Sequence, residues 1–210
     1  NELYGNRSTG EEVYRIFAEL DDDTDFVSSM FAAGDDALYI GSDLGGIVNE
    51  ALGSHLGDQI PLGFCGFVAD ICFDSYVTIG YAGNNAGTYY YYDGVTPLVN
   101  GTNLSALATA PSSNVILDSF SGAGTLPDLN MTDGSWFSTN TAGANAQGLP
   151  FGPNNRVLLA QVAIPLGSTL EYELNIQLFD EAIGANNIEY VWNPLTVSEG
   201  QEYAASLKFP

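Results

Sequence analysis

The feature that most constrains this chain is the alternation from Leu170 to Leu178. Leu170, Tyr172, Leu174, Ile176 and Leu178 are apolar, and Glu171, Glu173, Asn175 and Gln177 between them are polar. Side chains that repeat every second residue share one face of an extended strand, whereas a helix with this sequence would scatter them round its axis. The run predicts a half-buried strand whose polar face meets solvent or a neighbour. Before it, Val157 to Ile164 is apolar on nearly both faces, broken only by Gln161, and Pro165-Leu166-Gly167-Ser168 supplies turn residues between the two. The stretch from Asn155 to Asp180 therefore predicts a β-hairpin with one central and one half-exposed strand.

Shorter runs repeat the signal. Tyr14, Ile16, Ala18 and Leu20 share one face and Arg15 and Glu19 the other, which predicts a first strand from Glu11. Phe26 to Ala32 and Ala37 to Ile40 read as strands joined as a hairpin through Gly34-Asp35-Asp36. Gly41 to Pro61 loses the alternation and reads as a long loop with a helical turn near Ile47 to Leu52. A second clear strand is expected from Phe73 to Tyr81, another at Tyr89 to Tyr92, and shorter ones at Val115 to Phe120 and Ser135 to Ser138. Ile188 to Trp192 and Glu202 to Phe209 complete the set, the latter with Tyr203, Ala205, Leu207 and Phe209 on one face. About ten short strands and no sustained helix predict an all-β chain, an antiparallel β-sandwich of jelly-roll type, with a barrel as the alternative. Residues 1–10 read as an N-terminal arm, 11–210 as a single domain and 182–210 as a C-terminal strand extension of it.

Charge excludes several functions. Four Lys and Arg stand against 26 Asp and Glu, a formal net charge of -22. Nucleic acid needs clustered cations, and Arg7, Arg15, Arg156 and Lys208 are scattered. No apolar run approaches the roughly 20 residues of a spanning helix, so no membrane insertion is expected. The chain begins at Asn1 without Met, which points to a processed secretory product or a fragment. Cys65 and Cys72 are the only cysteines. In one straight strand, seven positions would put them on opposite faces, so a bridge needs Gly66 to Asp70 to turn back. A local disulfide in a secreted, extracellular or cell-surface protein is the expected state, with two buried thiols as the alternative.

Catalysis finds little material. His55 is the sole histidine, and although Ser54 and Asp58 are its neighbours, a triad is defined by spatial geometry rather than adjacency. No enzyme activity is expected. Calcium has a stronger case: Asp21, Asp22, Asp23 and Asp25 offer hard oxygens in one turn, and Asp35 and Asp36 could approach from a neighbouring loop, although the spacing is not that of a twelve-residue calcium loop. A solvated acidic turn is the plainer alternative. Glycosylation sequons occur at Asn6, Asn100, Asn103 and Asn130, which predicts N-linked glycans, three of them in a tract without basic residues. The tyrosines from Tyr89 to Tyr92, with Trp136 and Trp192, keep polysaccharide open as a partner, since exposed rings stack on sugars; core packing is the commoner fate of such residues.

The blocks Tyr14-Arg15-Ile16-Phe17-Ala18, Phe73 to Gly80, Gly134-Ser135-Trp136-Phe137 and Arg156 to Gln161, in this order, resemble secreted β-sandwich domains in surface and matrix proteins of aquatic microbes and algae. They also resemble glycosylated extracellular filament subunits from fresh water that are linked by strand exchange. The resemblance implies a structural role and a homo-polymer, and carries over no catalytic residue. Either end, Asn1 to Gly10 or Glu202 to Phe209, could donate a strand to a neighbouring copy.

Overall fold

The structure, a computed structural model, describes residues 1–22, 24–68, 70–85, 88–90, 107–110, 113–138, 155–179 and 187–210. Its strands are β1 (Glu2–Asn6), β2 (Glu12–Glu19), β3 (Phe26–Ala32), β4 (Leu38–Ser42), β5 (Ile47–Asn49) and β6 (Tyr76–Val77). They continue as β7 (Gly83–Asn85), β8 (Thr88–Tyr90), β9 (Leu107–Ala110), β10 (Gly124–Leu126), β11 (Leu129–Met131) and β12 (Gly134–Ser138). The last are β13 (Arg156–Ile164), β14 (Leu170–Glu173), β15 (Asn175–Phe179), β16 (Asn187–Val191), β17 (Gln201–Tyr203) and β18 (Lys208–Phe209). One helix, α1 (Ser113–Phe120), lies between β9 and β10.

The all-β sandwich expected from the alternation is what forms. Layer one has the order β1-β2-β13-β5-β10, with β6 also on β13. Layer two joins two sheets, β11-β4-β14-β18 and β17-β16-β15-β3-β12-β9. Between the layers Ile16, Val157 and Leu159 meet Val27, Met30, Ile40, Trp136 and Ile176 in one apolar core. This burial is the dominant favourable term in the fold.

The expected hairpin is not a hairpin. β13 belongs to layer one, where it pairs with β2 over Arg156↔Glu19 to Ile164↔Glu12, while β14 and β15 belong to layer two. The turn Pro165–Ser168 crosses the sandwich from one layer to the other. Both segments are apolar because both face the same core from opposite sides, and periodicity cannot distinguish that from pairing. The stretch Phe26–Ser42 is likewise no hairpin: β3 pairs with β15 and β4 with β14, and only Ala33↔Asp36 bridge locally.

Layer two is interrupted at one level, between β3 and β4, between β11 and β12, and at Leu174 between β14 and β15. Asn175 fills this gap. Its buried Nδ2 donates to the carbonyls of Phe31, Asp36 and Ala37 at 3.1, 3.0 and 3.3 Å, and its Oδ1 accepts Trp192 N–H at 3.4 Å. The alternation placed Asn175 toward solvent, but it is fully buried as a side-chain substitute for the broken ladder.

Four further expectations change. Ile47–Asn49 is a strand, because β10 and β13 are there to pair with it. Ser113–Phe120 is a helix; Ile116 and Phe120 are buried four apart on one side. The strand expected from Phe73 to Tyr81 reduces to Tyr76–Val77, and Glu202 to Phe209 divides into β17, a 3₁₀ turn at Ala205–Leu207 and β18. Among the described residues the strands are eighteen short segments, since several long ladders are broken.

The outer face of layer one is also covered, by the segment from Glu50 to Asn84. Ile60, Tyr76 and Ala82 pack on Leu158, and Phe73 and Tyr4 pack near Val13, Val48 and Ala163. Arg15, on the strand face opposite Ile16 and Ala18, is buried here: Nε donates to Gln161 Oε1 at 2.9 Å and the guanidinium lies 3.5 Å from the Tyr4 ring. The Cys65–Cys72 disulfide closes this cover, with Cα atoms 5.4 Å apart, as a turn at Leu62–Phe64 and the left-handed Asp70 (φ 68°) bring the ends together. Gln161 Nε2 ties it down by donating to Cys72 O at 3.1 Å and Asp74 O at 2.8 Å.

Replacing Asn175 with Leu would remove the side-chain donor shared by the Phe31, Asp36 and Ala37 carbonyls, of which Asp36 O keeps a backbone donor, Ala33 N–H at 3.2 Å. The substitution is expected to lower the unfolding free energy by about 3 kcal/mol, read in urea as a lower midpoint at unchanged slope. A loss under about 1 kcal/mol would show that the ladder closes without it.

Candidate functional site

The main concavity lies where the layers part. β1 pairs with β2 only from Asn6↔Glu12 to Glu2↔Arg15, short of the last four residues of β2. Beyond that point a groove of about 860 Å³ opens between the layers. Ile16, Ala18 and Leu159 form its layer-one wall, and Leu174, Ile176 and Leu178 its layer-two wall. These residues carry the alternation read in the sequence; Ile16, Leu159, Leu174 and Ile176 are buried in the core at the floor of the groove, and Ala18 and Leu178 are partly exposed along it. Ala18, the smallest of the apolar residues on its strand face, leaves part of the space.

The mouth is charged. Arg156 reaches Glu2 at 3.0 Å and Glu19 at 3.4 Å and lies 3.9 Å over the Phe17 ring, clamping β1, β2 and β13 beside the opening. Asp21, Asp22 and Asp25 line the rim. Thr24 N–H and Asp22 N–H donate to Asp22 Oδ1 and Asp25 Oδ2 at 3.0 and 3.1 Å, the side-chain bonding that shapes a tight acidic turn. Ala204, Ser206 and Leu207 close the far side, so the C-terminal segment crosses the mouth.

The six aspartates expected to share a cation are divided. Asp21, Asp22 and Asp25 precede β3 and Asp35 and Asp36 follow it, so the strand's seven residues, roughly 23 Å, stand between them. Asp23 lies outside the described residues. Asp36 is buried and accepts Thr196 Oγ1, while Asp35 is exposed. Among the described residues no three His, Cys, Asp or Glu groups gather in a way that could hold a metal ion. Ser54 Oγ donates to Gln59 Oε1 at 3.0 Å, and burial alone lowers His55, so the Ser54, His55 and Asp58 neighbours do not form a relay. No helix among the described residues is long and apolar enough to cross a membrane.

Two sequons fall in strands: Asn6 ends β1 and Asn130 lies in β11, both exposed. Asn100 and Asn103 lie outside the described residues, as do Tyr91 and Tyr92; Tyr89 and Tyr90 are placed in β8. Trp136 is fully buried, its indole N–H donating to Thr78 O at 3.0 Å, and the Trp192 indole donates to Ala37 O at 2.8 Å. Both indoles are thus committed to the fold.

Sequence reasoning missed the polar cluster that anchors the end of β1. Arg7 pairs with Glu50 and donates to Phe73 O at 3.4 Å, and Ser8 N–H donates to Asp70 Oδ1 at 2.8 Å. Beneath them Asp74, 1% exposed, accepts Glu50 N–H at 2.7 Å and Ser54 N–H at 3.1 Å. A Cβ on Gly53 would overlap its carboxylate, so that glycine is a spatial requirement. In the sequence Asp74 looks like an ordinary polar member of an alternating run. Comparison with protein-family models, with curated proteins and with solved structures finds no match to this chain.

Burial pushes Asp74 up to about 7 from its ordinary 3.8. A carboxyl raised in the folded state is more readily protonated there than in the unfolded chain, so its stabilising effect is full below about pH 4 and lost as pH rises to about 7. The unfolding free energy of the wild type relative to Asp74→Asn should fall by on the order of 4 kcal/mol across that window. A pH series of thermal melts on both proteins checks this; parallel curves would contradict it.

Proposed function

We propose that this chain is a non-enzymatic structural subunit of an extracellular, glycosylated filament or matrix, and that copies join by strand complementation in the groove between the layers. The observation that carries the reading is the groove itself: a strip of sandwich interior, walled by alternating apolar residues of both layers, next to a strand that β1 covers only in part. An alternating segment from another copy would supply both the missing apolar side chains and a backbone ladder.

The C-terminal segment suits the donor role better than the N-terminal one. β17 holds β16 through three residues and β18 holds β14 through two, and Tyr203 is 49% exposed. By contrast β1 is fixed by its ladder to β2, by Arg156 and by the cluster at Arg7. Exchange of an element between identical copies requires only that its local contacts be few, and repeated in one direction it produces an open polymer. A buried ladder also lets chains of net charge -22 associate without opposite charges, with divalent cations such as calcium neutralising the acidic rim. Polysaccharide binding draws less support, because both indoles are committed to the fold.

Ala18→Trp would fill the groove from the layer-one wall while leaving the donor intact. Elongated assemblies should disappear from negative-stain micrographs, with the circular dichroism spectrum and melting temperature of the subunit preserved. Assemblies of wild-type length from a folded variant would refute complementation at this site.

A further inference from the structure

The strand registers of layer two place Asn130 opposite Tyr39, Tyr39 opposite Glu173 and Glu173 opposite Lys208. Directly opposed residues share a face with Cβ atoms about 5 Å apart, so these four form one row across β11, β4, β14 and β18. The row spans three strand spacings, roughly 14 Å. It lies on the outer face, since the neighbouring residues Leu38, Ile40, Leu129, Met131 and Tyr172 point into the core.

Tyr39 is the aromatic member of this row. Its hydroxyl donates to Asp128 Oδ2 at 3.2 Å, and a Cβ on Gly41 would collide with that hydroxyl and with the Asp128 carboxyl. The side chain thus leans along its own strand over a residue without a side chain and stays partly exposed. Burial, and Asp128 beside it, hold the phenol well above its ordinary value, so it stays a donor. Past Tyr39 a cleft of about 320 Å³ is lined by Glu171, Glu173, Lys208 and Pro210, with Lys208 Nζ 2.6 Å from Glu173 Oε1.

We propose that an N-glycan on Asn130 lies down on this face, its first sugar packed against Tyr39 and the following sugars hydrogen-bonded to the Glu171 and Glu173 carboxylates of β14. The inference rests on the reading of this chain as a glycoprotein with Asn130 occupied. Asn130 is exposed, so its amide is open to attachment, and its direct cross-strand partner is the partly exposed Tyr39. Sugar C–H faces pack on aromatic rings, and sugar hydroxyls find acceptors in the carboxylates. A second copy of this acidic chain would instead bring further carboxylates to Glu171 and Glu173.

The test uses protein secreted from a host that performs N-glycosylation. Mass spectrometry of the Asn130 peptide reads occupancy, and an empty Asn130 in native material overturns both this seat and the occupancy on which it rests. With Asn130 occupied, Thr132→Ala, an exposed change that removes only the sequon, should lower the melting temperature by about 2–4 °C. In a Tyr39→Leu background the same change should cost nothing. Enzymatic release of the glycan from folded wild-type protein should reproduce the loss without a mutation. Equal losses with and without the Tyr39 ring, or no loss on release, overturn the seat while leaving the glycoprotein reading in place.

Discussion

The structure depends on β13 being buried on both faces. A strand in that position cannot be satisfied by one apolar layer: its inner side chains require layer two, and its outer ones require a cover that ordinary antiparallel sandwiches leave to solvent. The segment from Glu50 to Asn84 is that cover, and its irregular backbone is tolerable because side chains receive its polar groups. Gln161, the one polar residue in the interior of the strand, receives Arg15 and donates to Cys72 and Asp74 carbonyls. The disulfide then fixes the cover, and the cover fixes β1 through Arg7 and Ser8. Removing one partner from such a network leaves buried polar groups unsatisfied, so the cover, β1 and β13 behave as one unit.

How much of this was legible follows from what alternation can encode. It identifies faces, so the inward residues of β2, β3, β13 and β14–β15 and the all-β class could be read directly, as could the local disulfide. It does not identify partners: the apparent hairpin at Pro165–Ser168 is two strands in different layers, and Leu170 to Leu178 reads as one strand although it passes a break in the sheet. It also treats every polar residue as outward. Asn175, Gln161, Arg15 and Asp74 are all buried because particular carbonyls, amides and rings meet them, and those groups come from distant parts of the chain. The helix Ser113–Phe120 escaped because a segment of eight residues offers too few turns for its period to stand out.

The groove, by contrast, was legible in its walls but not as a space. Tyr14, Ile16, Ala18 and Leu20 announce a buried face, and only the register of β1, ending at Glu2↔Arg15, shows that this face continues past its neighbour. The fold thus combines a closed polar network at one end of β1 with an open apolar strip at the other.

The pairing of Arg15 with Gln161 also bears on how the molecule comes into being. The two residues are 146 positions apart, and the β2–β13 ladder around them is the longest in layer one. Loop-closure entropy makes such distant pairings slow to form. Until β13 pairs, the apolar face of β2 stays uncovered, and the dense negative charge of the chain meanwhile opposes contact between unfolded copies.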